Sequence, residues 1–265
     1  MYNALCSLLG PDHPWADRIH CHRTVDSTNL LAKQMAAQGA PHGTVVLANH
    51  QTAGRGRLGR SFHSPDGQGI YMSLLLRPAC RSEQLMHLTC AAAVAMCDAL
   101  EAACSHRPGI KWTNDLVCGK RKLGGILTEL GWSSSGRLDY AIVGIGINCS
   151  QQPEDFPEDI RGIAASASML AGCAVSPVAV AAAMIQSLYR MDFGLLTEKS
   201  KLLNRYRTDC VTLGQDVSIL CGDSVRHARA LDIDADGGLI VSLPDGSMET
   251  IAAGEVSVRG MYGYL

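Results

Sequence analysis

Three arginines and three glycines share seven residues, Gly54-Arg55-Gly56-Arg57-Leu58-Gly59-Arg60, just after Gln51-Thr52-Ala53. Glycine at every second or third position lets the backbone curl and converge its N–H groups on an anion. The guanidiniums between them are cationic forks suited to phosphate or carboxylate oxygens. The pattern predicts a loop that holds a negatively charged small molecule. Three cations so close repel one another, so the loop is expected to be mobile until an anion orders it.

Rival readings of the same residues fare worse. Gly54-x-Gly56-x-x-Gly59 follows an apolar run and matches the dinucleotide fingerprint literally, but that fingerprint needs a helix at the third glycine and an acid about 20 residues on. Ser64-Pro65-Asp66-Gly67 follows instead, position 79 is alanine, and the nearest acid beyond it is Glu83. A nucleic-acid patch would call for a basic protein, whereas the 265 residues carry a net charge of −2. A solvated surface loop leaves the clustered arginines without a purpose.

The elements that must position this loop can be read on either side of it. Residues 18–25 read as a strand. Asp26-Ser27-Thr28-Asn29 then opens a helix that Gly39 closes, with Ser27 or a neighbour as N-cap. Polar side chains beside a helix N-terminus also suit a ligand carbonyl. Residues 44–48 and 69–77 read as strands and 82–104 as one long alanine-rich helix. Residues 110–118 and 122–130 read as a hairpin around Gly119-Lys120-Arg121, and 138–149 as a strand with Gly144 and Gly146 inside it. Glycine within a strand marks close approach of a ligand or another backbone. Helices are expected at 176–193 and 199–207. From about residue 211 short alternating runs separated by Gly-Asp, Asp-Gly-Gly and Pro-Asp-Gly turns predict a small all-β barrel. The expected division is a domain over 1–208 and a second over 209–265.

With 47% apolar and 18% charged residues, the chain can fill a large core, although aromatics make up only 5%. No segment is expected to span a bilayer, and the N-terminus lacks the pattern of a signal peptide, so a cytoplasmic protein is expected. Eleven cysteines without a Cys-x-x-Cys pair read as reduced thiols. Cys90, Cys97 and Cys104, seven apart, read as small buried residues of a helix. His20 and His22 flank Cys21, and without a further ligand pattern they read as strand decoration; no metal site is expected.

Five motifs in order resemble the biotin protein ligases: Ser27-Thr28-Asn29; Gln51 through Arg60; Lys111-Trp112-x-Asn114-Asp115; Arg121-Lys122-Leu123-Gly124-Gly125-Ile126-Leu127; and Gly144-Ile145-Gly146-Ile147-Asn148, with a tail Gly254-Glu255-Val256-Ser257-Val258-Arg259. The resemblance covers nearly the whole chain. It implies an α+β fold related to class II aminoacyl-tRNA synthetases, with a mixed sheet backed by helices and a small C-terminal SH3-like β-barrel. It implies an ATP-dependent biotin–[biotin carboxyl carrier protein] ligase. Biotin and ATP form biotinyl-5′-AMP with Mg2+ as activator, and a lysine of the carrier then takes the biotin.

The residues fit that chemistry on physical grounds. Two anions must meet in the first step, and Arg57 and Lys122 are expected to supply the charge there. Ser27, Thr28, Asn29, Gln51, Arg55, Gly56, Gly124 and Gly125 are expected to contact biotin, together with Arg57 and Lys122. Arg57, Arg60, Lys111, Trp112, Asn114 and Asn148 are expected around the nucleotide. Trp112 would be a flat wall or a core filler, and Asp115 either a base for the incoming amine or an acceptor for hairpin N–H groups. Two departures from the family pattern stand out, Thr113 where proline is usual and Gly124 where alanine is usual. About 17 residues precede the first strand, too few for the helix-turn-helix domain of the repressor members, so no repressor function and no nucleic-acid partner are expected. A monomer or weak homodimer is expected. The alternatives are a lipoate or octanoate ligase or transferase of the same superfamily, and a non-catalytic biotin or nucleotide sensor.

Overall fold

The computed structural model describes residues 2–221, 224–252 and 257–260. Its centre is the strand β3 (Gly69–Leu76), in which every residue is buried. A strand buried on both faces needs a layer on each side. The alternation of its neighbour β2 (Thr44–Gln51) shows what those layers are. Val46 packs with Leu75 and Ile142 under Ala32 and Ala36 of the helix α2 (Thr28–Ala37). Val45 and Leu47 point the opposite way, into the main core with the helices α3 (Leu88–Cys104), α5 (Pro177–Gly194) and α6 (Lys199–Asp209).

Seven strands form this sheet in the order β1-β2-β3-β7-β6-β5-β4. Strand β1 (Ile19–Val25) runs parallel to β2, and every other pairing is antiparallel. The sheet is the expected mixed, largely antiparallel one backed by helices. Two short helices went unread in the sequence, α1 (Tyr2–Leu9), which buries Leu5 and Leu9, and α4 (Ala167–Ala171).

Two expectations are corrected. The run 110–118 is two strands, β4 (Gly109–Lys111) and β5 (Asp115–Cys118), folded antiparallel about Trp112-Thr113-Asn114. The reversal is held from outside. The backbone N–H of Trp112 donates to Thr212 Oγ1 (2.9 Å), and Tyr206 donates its hydroxyl to the Thr113 carbonyl (3.0 Å). The long helix expected over 82–104 is a 3-10 turn at Ser82–Leu85 followed by α3. Between them lies the buried His87, whose Nε2 is 2.8 Å from the Leu195 carbonyl and must carry the proton, since a carbonyl only accepts. Burial pulls this imidazole below its ordinary pKa, against the opposing pull of the Leu195 carbonyl. Within Ser82–Cys104 an 18-residue window is long and apolar enough to cross a membrane by length and composition, and 72% of that window is buried inside the protein. Cys90, Cys97 and Cys104 are buried on α3, and burial pushes the Cys90 thiol up to about 12.

The remaining long strands are β6 (Arg121–Trp132) and β7 (Leu138–Asn148), paired over most of their length. The C-terminal part contributes a separate five-stranded antiparallel sheet. It comprises β8 (Asp216–Cys221), β9 (Ser224–Ile233), β10 (Leu239–Ser242), β11 (Met248–Ile251) and β12 (Ser257–Gly260), in the order β11-β10-β9-β8-β12. Of the tail motif, Gly254, Glu255 and Val256 lie outside the described residues. The two sheets are joined at Trp112, whose Nε1 donates to the Gly237 carbonyl at 3.0 Å in the turn between β9 and β10. Trp112→Phe removes that donor and leaves the buried Gly237 carbonyl with only the weak Cys90 thiol at 3.9 Å, so the variant should lose about 2 kcal/mol of stability in urea unfolding.

Candidate active site

Five segments converge on a cavity of about 50 Å3: the start of α2, the Arg-Gly loop after β2, the turn between β4 and β5, the beginning of β6 and the end of β7. Its base is polar and closely bonded. Gln51 Oε1 accepts from both the backbone N–H and the hydroxyl of Thr28, at 2.9 and 3.2 Å. The N-terminus of α2 is therefore capped from β2, while Ser27, at the N-cap position, makes no side-chain cap bond. The buried Ser73 hydroxyl lies 2.8 Å from Thr28 Oγ1 and 2.6 Å from Asn29 Oδ1. Asn29 in turn donates its Nδ2 to the Leu127 carbonyl (3.2 Å) and to Glu129 Oε2 (2.8 Å).

The strand glycines make room for these side chains. A Cβ at Gly144 would lie 2.0 Å from Asn29 Oδ1, and one at Gly146 2.5 Å from the Phe62 ring. Close approach was expected there from a ligand or a backbone, and the structure shows protein side chains. Gly125 does the same for an ion pair. A Cβ there would stand 3.3 Å from both Asp115 Oδ1 and Lys122 Nζ.

Cations form the rim, and each has an acceptor. Lys122 Nζ donates to Asp115 Oδ1 at 2.7 Å. Arg57 Nη1 donates to Asn114 Oδ1 at 2.9 Å, and Asn114 is itself held by donating to the Ile126 carbonyl at 3.0 Å. Burial pulls the Arg57 guanidinium below its ordinary value, with Asp115 acting against that pull. Arg55 Nη1 reaches Glu129 at 3.3 and 3.5 Å. Burial raises the Glu129 carboxyl, but hydrogen bonds from Lys33 and Asn29 and the charges of Lys33 and Arg55 outweigh it and hold the group below the usual carboxylate range. The loop also bonds to itself, Phe62 N to the Gly54 carbonyl (2.9 Å) and Gly56 N to the Arg60 carbonyl (2.7 Å).

A second cavity of about 310 Å3 adjoins the first, sharing Arg55, Gly56, Arg57, Ile126 and Leu127 and extending to Thr89, Thr113 and Thr128. Arg57 therefore lies on both.

Of the sequence-derived site residues, Ser27, Thr28, Asn29, Gln51, Arg55, Gly56, Arg57, Asn114, Lys122 and Gly125 line the first cavity. Asp115 reaches it through Lys122. Gly124, Arg60, Lys111, Trp112 and Asn148 line neither cavity. A Cβ at Gly124 would strike the Gly146 carbonyl at 2.5 Å, so that glycine serves strand contact. Trp112 is buried and joins the two sheets through its bond to Gly237. Asn148 is buried and donates to the Ala165 carbonyl at 2.9 Å. The sequence reading missed Phe62, Ser73 and Glu129. Glu129 was within reach of it, since 125, 127 and 129 fall on one face of β6 by strand alternation.

Gly144→Ala must displace Asn29 from its bonds with Ser73 and Glu129. Overpacking of this kind costs about 1–3 kcal/mol, and a lowered thermal midpoint is the expected result, whereas an unchanged midpoint would mean Asn29 is free to move.

The comparisons bear on what such a site belongs to. A model of the biotin/lipoate A/B protein ligase family matches residues 21–148, and a model of the biotin protein ligase C-terminal domain matches 212–259. The chain is 34% identical over 235 residues to the bifunctional ligase/repressor BirA of Bacillus subtilis, covering 88% of this chain and 71% of that protein. It is 33% identical over 239 residues to the biotin–[acetyl-CoA-carboxylase] ligase of Paracoccus denitrificans, covering 89% of this chain and 98% of that one. Among solved structures, the biotin protein ligase from Aquifex aeolicus in complex with biotin and ATP superposes with a TM-score of 0.77 at 27% identity, over 92% of this chain and 99% of that one. With its site, its sheet and both of its matched regions in agreement, the chain belongs to the biotin protein ligases.

Proposed function

We propose that this protein activates biotin with ATP to biotinyl-5′-adenylate and passes the biotin to a lysine of a carboxyl carrier protein. Family membership supports the reaction class, and one observation supports its mechanism: Arg57 stands on the wall shared by two adjoining cavities, with Lys122 lining the first. Biotin binds in the first cavity, with its polar ring toward Ser27, Thr28 and Gln51. The phosphates of ATP lie in the second. Bringing the biotin carboxylate to the α-phosphate sets two anions against each other, and Arg57 and Lys122 offset that repulsion and stabilise the charge that builds in the transition state. The carboxylate oxygen bonds to the α-phosphorus as pyrophosphate leaves. The carrier's neutral lysine amine then attacks the acyl carbon, and AMP departs. The Arg-Gly loop keeps water from the mixed anhydride. Mg2+ would come with ATP, and Thr89, Thr113 and Thr128 are the residues with side-chain oxygens that line the second cavity.

Lipoate and octanoate test the substrate assignment, because a cavity base built from a bonded amide and hydroxyls favours a ureido ring over an alkyl chain. ATP–pyrophosphate exchange by the purified protein should appear with biotin and not with lipoate, octanoate or no acid. Exchange with either of the other acids and not with biotin would overturn the substrate. Arg57→Ala and Lys122→Ala should each lower the biotin-dependent rate by about 100-fold.

Asp115 acts here as the counter-ion that positions Lys122, since its Oδ1 accepts from that ammonium and, at 3.2 Å, from Asn114 Nδ2. Asp115→Asn should therefore slow exchange and carrier loading by similar factors. Loading slowed tenfold more than exchange would instead assign Asp115 to the amine.

A further inference from the structure

The two stems of the Arg-Gly loop are fastened to the same chain of hydrogen bonds. One stem, at Arg55, reaches Glu129. From Glu129 the chain runs through Asn29, Ser73 and Thr28, whose backbone N–H makes the last link to Gln51. Gln51 Nε2 donates to Ser64 Oγ at 3.1 Å, and that hydroxyl donates at 2.9 Å to the carbonyl of Phe62, the other stem. The circuit surrounds the base of the first cavity. Its one carboxylate is Glu129, 16% exposed, which also receives Lys33 Nζ at 2.5 Å.

We infer that Glu129 is a positioning residue for the ligase reaction: it holds the loop through Arg55 and so sets where Arg57, two residues on, stands against the substrates. Arg57 has only the short turn Arg57–Gly59 beyond it before the chain returns, so a displaced Arg55 carries Arg57 with it. Lys33 contributes charge to Glu129 without touching the loop, which separates the two roles of the carboxylate. If Glu129 served only to pair Lys33, removing Lys33 would do the same damage as removing Glu129. If it holds the loop, Arg55 and Glu129 act as one unit, and their effects do not multiply.

The assignment rests on the adenylation reading, but its first test does not. Trypsin cleaves after arginine, and Arg57 and Arg60 report how often the loop opens. With purified protein and no ligand, Glu129→Gln and Arg55→Gln should each speed cleavage at these two positions by roughly tenfold, and the double variant no more than either alone. Lys33→Ala should stay within about twofold of the parent. Arg55→Gln keeps the test available should Glu129→Gln fold poorly. In biotin-dependent exchange, the same two variants should lower kcat by a common factor while Lys33→Ala leaves it unchanged. Cleavage of Glu129→Gln at the parent rate, multiplying effects in the double variant, or a Lys33→Ala loop as open as that of Glu129→Gln would each overturn the inference. Absence of exchange in the parent protein would count against the adenylation reading alone and leave the cleavage result standing.

Discussion

A site that must bring two anions together has first to hold its own cations against their mutual repulsion. Arg55, Arg57 and Lys122 do this by being paired inside the protein, with Glu129, Asn114 and Asp115 respectively. Two of these acceptors carry charge and one is an amide. The pairing places each cation at a defined point on the cavity rim. An incoming carboxylate or phosphate then adds to or replaces an acceptor already in position, so less reorganisation is needed at the moment of reaction.

The acceptors stand where they do because of sheet geometry. Asn114 ends the turn between β4 and β5, and Asp115 opens β5 opposite Gly125 of β6. Glu129 lies four residues further along β6, on the face covered by α2. Glycines at 125, 144 and 146 lower the floor so that an ion pair, an amide and an aromatic ring can lie flat against the strands. The cavity is thus a product of missing side chains as much as of present ones.

Much of this was legible in the sequence. Continuous apolar runs located the buried strands, turn residues separated the second sheet from the first, and the motif residues at α2, the loop and β6 do meet around one cavity. What escaped were facts of partnership. The arginines stand without an acceptor in the local sequence because Glu129, 74 positions away from Arg55, is not a neighbour in the chain. Ile110 through Cys118 reads as one strand because nothing local announces the reversal at Thr113; its clamps, Tyr206 and Thr212, come from far along the sequence. Trp112 and Asn148 sit inside motifs of the site yet line neither cavity, a distinction that residue type alone does not carry.

The bond from Trp112 to Gly237 has a bearing on modularity. Trp112 is two residues from Asn114, the partner of Arg57, so the turn that aims a rim arginine is bolted to the C-terminal sheet. A Cβ at Gly237, whose φ is +88°, would also meet Cys90 Sγ at 2.8 Å, so the bolt fits against α3 as well. The C-terminal sheet cannot then be exchanged for a relative's as a free-standing unit: a chimaera inherits the register of a β-turn in one parent and the indole that reads it in the other. Graft boundaries in this fold are best drawn so that both ends of that bond come from the same source.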